Sequence, residues 1–166
     1  MSRRNTYAHI SDKRYEETLR KGNKTEQEFM DLMISRGNVV LEATDEEDMY
    51  KHIDFFVNGY GVDIKGNKKS YDIWLEVQNV FGGKGWLCGE AKWIVFDLVD
   101  VNAYYIYKRI DLLKWVVENT SENTTDRNDY LKYYTREKFG GKDKVVRCNE
   151  SHINHLLIQK TEYLYT

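Results

Sequence analysis

The 166-residue sequence contains no proline, only two cysteines and no apolar run near the length of a membrane span. Without proline no stretch reads as a proline-rich linker, and neither a domain boundary nor an internal repeat is visible. Cys88 and Cys148 are too few for a disulfide framework and lack CxxC spacing, so reduced thiols in a cytoplasmic protein are expected. A membrane helix needs about 18 consecutive apolar residues, and Met1-Ser2-Arg3-Arg4 is not followed by the apolar core of an export signal. Net charge is scarce too. The 25 basic and 27 acidic side chains sum to −2, which excludes a polycation that holds nucleic acid by bulk electrostatics alone.

What is present suits one soluble α/β domain over residues 1–166, with a core at about 22–107 and a basic C-terminal elaboration at 108–166. Hydrophobic residues make up 41% of the chain, and a domain of this size buries about two-thirds of its unfolded surface without help from disulfides or metals. The charge is segregated. Residues 37–107 hold 6 basic and 12 acidic side chains, whereas 108–147 hold 10 and 7.

Hydrophobic spacing predicts a short polar helix from Ser11 to Lys21, closed by Gly22. A second helix is expected from Thr25, which forms a capping box with Glu28, through Phe29, Leu32, Met33 and Arg36 to Gly37. Val39–Leu41 reads as a short strand and Glu42–Asp48 as acidic surface. His52–Val57 and Tyr60–Lys65 are strand-like runs joined by Asn58-Gly59, the strongest hairpin signal in the chain. Further strands are expected at Ile73–Val80, Lys92–Leu98 and Tyr104–Tyr107. A helix over Ile110–Val117 would carry Ile110, Leu113 and Val117 on one face. After it come a polar loop, a basic aromatic segment from Tyr130 to Lys144, a Val145-Val146 strand and an apolar piece at Leu156–Ile158.

Counting outwards from the turn pairs Val57 with Tyr60, Phe55 with Val62, Asp54 with Asp63 and His52 with Lys65. The two aspartates then face each other on the side that carries His52 and Lys65, and Ile53, Phe55, Val62 and Ile64 form an apolar opposite face. Carboxylates in direct cross-strand opposition repel each other, so the pairing points to a cation between them. Oxygen ligands of this kind suit Mg²⁺ or Mn²⁺. Glu26, on the helical stripe of Phe29 and Met33, is a third candidate ligand. Glu76 and Gln78, sharing a strand face with Trp74, are accessory candidates together with His52. An acid-x-Lys triplet alone carries almost no information, as Glu90-Ala-Lys92 illustrates; the turn that forces Asp54 onto Asp63 carries it.

These residues resemble the PD-(D/E)XK nuclease superfamily, in which a helical glutamate precedes an aspartate on one strand and an acid-x-Lys on the next. The similarity is closest to small phage-encoded endonucleases. It rests on Thr25-Glu26, His52-Ile53-Asp54, Asp63-Ile64-Lys65-Gly66, Glu76-Val77-Gln78-Asn79 and Gly85-Trp86-Leu87-Cys88-Gly89, and covers about residues 22–98. Histidine stands in place of the superfamily's proline, and Gln78 stands where relatives carry lysine. The resemblance implies a restriction-endonuclease-like αβββαβ core with a mixed central sheet flanked by helices. It implies a Mg²⁺-dependent endodeoxyribonuclease of the host cytoplasm, with structure-specific cleavage of branched DNA, as by Holliday-junction resolvases, among its options. Asp54, Asp63 and the Ile64 carbonyl would hold one or two Mg²⁺, Glu26 a metal or its water, and Lys65 would position the attacking water. DNA is the expected partner, and a homodimer is one arrangement that could serve two strands. The alternative is a catalytically idle nuclease-fold protein that binds nucleic acid or a host protein; a metal-binding interaction module without nucleic acid is a third reading.

Outside this constellation, Arg136, Lys138, Lys142, Lys144 and Arg147, interleaved with tyrosines and Phe139, suit contact with a nucleic-acid backbone. A plain amphipathic surface explains them equally well. Gly82-Gly83-Lys84-Gly85 lacks the spacing of a phosphate-binding loop and reads as a flexible connection between strands. His152-x-x-His155 has no further ligand at suitable spacing and reads as structural.

Overall fold

The computed structural model describes residues 12–135 and 143–163. A single helix, α1 (Asp12–Ser35), replaces the two expected at its start. Gly22 does not end it: interior glycine costs only about 1 kcal/mol relative to alanine, and the next turns are anchored by burial of Phe29, Leu32 and Met33. Thr25 is therefore not a cap. It is buried inside the helix, and its hydroxyl donates to Asp97 Oδ2 at 3.5 Å.

After α1 come β1 (Val40–Glu42), a π-helical turn at Glu47–Lys51, β2 (Phe55–Val57) and β3 (Tyr60–Lys68). β2 and β3 form the expected hairpin, with Phe55↔Val62, Phe56↔Gly61 and Val57↔Tyr60 in register. Asn58 and Gly59 adopt φ +50° and +84°, the type I′ geometry whose twist matches that of the strands. Asn58 also ties the turn to β1, since its Oδ1 accepts from Val39 N–H at 2.9 Å.

The strand expected at Ile73–Val80 does not extend the hairpin's sheet. β4 (Ile73–Gln78) leaves the sheet, and β3 pairs instead, in parallel, with β5 (Trp93–Leu98). β6 (Ala103–Lys108) follows antiparallel to β5, then α2 (Arg109–Asn119), β7 (Asn123–Thr124), β8 (Tyr133–Tyr134), β9 (Lys144–Cys148), the short α3 (Glu150–Ile153) and β10 (Leu157–Glu162). The result is a mixed α/β structure: a six-stranded mixed sheet ordered β1-β2-β3-β5-β6-β10, and a four-stranded sheet ordered β4-β9-β8-β7. β5 lies central and is buried on both faces, which explains its almost unbroken apolar sequence.

Each face of the larger sheet has its own core. On one, α1 packs Phe29, Met30, Leu32 and Met33 onto Phe55, Val62, Ile64, Val95 and Tyr104. On the other, Ile94, Phe96, Leu98 and Tyr107 meet Ile73 and Leu75 of β4, Val146 and Cys148 of β9, and Leu112, Trp115 and Val116 of α2. The buried face of α2 is thus not the expected one, because Ile110 and Val117 are 56% and 64% exposed. Burial raises the Cys148 thiol to about 12, so it stays protonated; both cysteines are free. Among the described residues no helix is long and apolar enough to cross a membrane.

Candidate metal and phosphate site

The hairpin brings Asp54 and Asp63 together, although the regular ladder stops at Phe55↔Val62. Asp54 N–H bonds Val62 O at 2.9 Å, one position off simple continuation, and Ile53 N–H turns back to Glu47 O at 3.3 Å. This irregularity breaks the expected alternation. Ile53 packs into the core on the Asp63 side of the sheet, away from Phe55, Val62 and Ile64. His52 is not opposite Lys65 either. It takes φ +54° at the end of the π-helical turn, and its Nε2 lies 3.2 Å from Lys84 O.

Asp54 Oδ2 accepts the Ile64 N–H at 2.8 Å, which fixes the side chain across the hairpin. Asp63 is fully buried. Among the described residues neither of its oxygens receives a neutral N–H or O–H donor; its contacts are Lys65 Nζ, 2.8 Å from Oδ1, and the Asp54 carboxylate. Burial above all, reinforced by Asp54 and opposed by Lys65, pushes the Asp63 carboxyl up to about 8. At neutral pH the Asp63 carboxyl is therefore held towards its protonated form, the usual answer to burial beside a like charge. Lys65, with its side chain 17% exposed, is backed by the Trp86 ring, 4.9 Å from Nζ to the centroid.

Trp86 enters on a 3₁₀ turn, Trp86–Cys88, between β4 and β5. Its role at the site was not legible beforehand; the only signal was its place in the Gly85–Gly89 segment. The preceding loop is hydrogen-bonded internally, with Asn79 Oδ1 accepting from the N–H groups of both Phe81 and Gly83 at 3.0 Å. Gly82–Gly85 is thus a connection, as expected, but one held by these turn hydrogen bonds rather than the flexible one anticipated.

Not every candidate joins the pair. Among the described residues, no three His, Cys, Asp or Glu side chains are grouped so as to hold a metal ion. Glu26 is half-buried on α1, which covers the opposite face of the sheet; Thr25, not Glu26, occupies the buried stripe. Gly66 lets that helix approach β3, since a Cβ there would lie 2.8 Å from Thr25 Oγ1. Glu76 and Gln78 are half-buried on β4 in the other sheet, where Gln78 pairs with Lys144 of β9.

Of the nucleic-acid candidates, Arg136, Lys138 and Lys142 lie outside the described residues. Lys144 is exposed at the start of β9. Arg147 is committed internally: its Nε is 2.8 Å from Asp72 Oδ1, its Nη1 donates to Asn128 O at 3.2 Å, and it stacks on Tyr130 at 4.6 Å. Such a side chain has little left for a phosphate. His152 caps α3, its Nδ1 accepting from Asn149 N–H at 3.1 Å, a structural task.

Does the pair suit a hard cation? Two carboxylates of which one lacks neutral donors form a partial oxygen shell. Mg²⁺ is bound through one or two carboxylates together with substrate phosphates and several waters, so Asp54 and Asp63 are the residues that would hold it, without a third acid. Comparison with protein-family models, with curated proteins and with solved structures finds no match to this chain.

Proposed function

We propose that this protein is a metal-dependent endodeoxyribonuclease with a restriction-endonuclease-like core. The observation that carries the reading is the buried Asp54–Asp63 pair with Lys65 against it, displayed by one hairpin. The strand order is compatible with it in part: α1, then antiparallel β1-β2-β3, then β5 parallel to β3, would match the αβββ…β elements of such a core, while β4 and the 3₁₀ turn stand where the scheme has its crossover helix.

In this reading Asp54 and Asp63 would hold Mg²⁺ or Mn²⁺, which would supply Lewis-acid polarisation of a phosphodiester and a water of lowered pKa. The chain's own residues do the rest. The Ile64 N–H orients Asp54. Asp63 holds Lys65 by charge, and the Trp86 ring limits where its ammonium can go. A lysine so placed would present N–H donors to a non-bridging phosphate oxygen, where negative charge grows as water adds to phosphorus, and such preorganised donors are worth a few kcal/mol each.

The test is incubation with linear, circular and four-way-junction DNA in Mg²⁺, Mn²⁺ or EDTA. Cleavage only with metal is the expected outcome, and preference for the junction would identify a structure-specific enzyme. Absence of cleavage under all conditions would overturn the reading. One observation favours the idle alternative, the full burial of Asp63 behind the Lys65 ion pair; salt-sensitive DNA binding without cleavage would select it.

A further inference from the structure

A second lysine stands beside Lys65, and a slip in the sheet puts it there. On a regular strand Lys65 and Lys68 would point to opposite faces, because three steps is an odd number. In the parallel ladder with β5, however, Lys65 pairs with Phe96 and Lys68 with Leu98, so Gly66 and Asn67 together lie opposite Asp97. Two residues against one is a β-bulge. Asn67 absorbs it at φ +54°, with its N–H 3.3 Å from Asp97 Oδ2. Phe96 and Leu98 both belong to the core on the face away from α1, and partners in a ladder share a face. Asp63, Lys65 and Lys68 therefore form one row, with the lysines two ladder steps, about 6.6 Å, apart.

Lys68 is half-buried, and among the described residues its ammonium makes no ion pair or hydrogen bond. Burial first, then the charge of Lys65, weakens its hold on its proton, and Asp72 acts in the opposite sense. Asp72 is itself engaged by Arg147 and by Trp74 Nε1. A partly desolvated ammonium next to a second one is unfavourable until an anion arrives.

We infer that Lys68 is a phosphate-holding residue: with Lys65 at the reacting phosphodiester, Lys68 grips a neighbouring phosphate of the same strand. The inference rests on the nuclease reading for the identity of its ligand, while the anion site itself stands on the bulge. Lys68→Met keeps the aliphatic stem and removes the charge, and Lys68→Arg keeps the charge. Binding of a labelled DNA duplex is measured in EDTA, where no metal-dependent cutting interferes, over a range of KCl concentrations. Loss of one phosphate contact lowers the slope of log K against log salt by about 0.9 and weakens binding roughly eightfold at 0.1 M salt. Lys68→Met should show both losses with an unchanged or higher unfolding midpoint, and Lys68→Arg should restore the slope. A purely structural lysine would instead lower the midpoint and leave the slope alone, which would sink the proposal.

Inorganic tripolyphosphate supplies an arm independent of DNA. It should raise the wild-type unfolding midpoint and do so far less in Lys68→Met. That result together with no DNA binding by the wild type would discard the nuclease reading and keep the anion site. No midpoint shift in the wild type would discard the Lys68 proposal.

Discussion

Two buried aspartates on neighbouring strands meet opposite fates. Asp97, on β5, is 6% exposed and faces α1, where the Thr25 hydroxyl, the Asn67 N–H and the Tyr163 hydroxyl all donate to it. Burial, and next the Asp97 carboxylate, hold the Tyr163 hydroxyl above its usual range, so it remains a donor. Asp63, on β3, faces the other way and among the described residues meets only a lysine and another acid. A carboxylate enclosed by neutral donors is a structural fixture, tying helix, bulge and C-terminal segment together. One enclosed without them is incomplete, and takes a proton or a cation. The difference, within a single sheet, is what singles out Asp63 as the candidate for chemistry.

The sharpest way to break this comparison is to remove each aspartate in turn. Asp63→Ala should lower the rate of metal-dependent DNA cleavage by at least about a hundredfold, the scale of losing several kcal/mol of charge stabilisation. Its circular dichroism and thermal midpoint should match or exceed those of the wild type. Cleavage at the wild-type rate would show that the pair is not the site. Asp97→Ala should do the reverse. It strands Thr25, Asn67 and Tyr163, at a cost of about 3 kcal/mol, or roughly 10 °C in Tm for a chain of this size, while the folded fraction still cleaves. An unchanged melting curve would contradict its structural assignment.

The third contrast is in pH. The folded-state value for Asp63, about 8, lies above the ordinary 3.8, so between these values the folded chain holds a proton that the unfolded chain has lost. This group's contribution is therefore full below pH 4 and declines as pH rises towards 8. Metal-free melts from pH 5 to 8.5 should show Asp63→Asn gaining on the wild type as pH rises. Mg²⁺ competes with that proton, so the midpoint rise it causes should grow with pH in the wild type and vanish in Asp63→Asn. A Mg²⁺ effect independent of pH would argue against binding at the pair.

Legibility in the sequence followed the range of the interactions. The hairpin was readable because a two-residue turn leaves one register, and Asp54, Asp63 and Lys65 came with it. The irregularity at Asp54, which moves Ile53 and His52, was not, since it depends on the π-helical turn beside it. The sequence does not show that β4 leaves the larger sheet, because the β3–β5 pairing is decided across more than twenty residues. The helix after β6 carries two apolar stripes, 110/113/117 and 112/115/116, and only the packing of Trp115 against the sheet chooses between them. The bulge had a trace in the sequence, the Gly66-Asn67 dipeptide within a strand pattern. Trp86 had no signal of its own.

The shortness of the Asn58-Gly59 turn also bears on how the chain reaches this structure. Hairpins with two-residue loops close on the microsecond scale, well before pairings of high sequence separation such as β3 with β5. Asp54 and Asp63 are thus driven together while the nascent hairpin is still wet and before Trp86 and β5 have arrived to enclose them. Repulsion between them falls on the transition state as well as on the finished fold. Stopped-flow refolding at pH 8 without metal should accordingly be faster for Asp63→Asn than for the wild type, which would make the acid pair a brake on the folding of the hairpin that displays it.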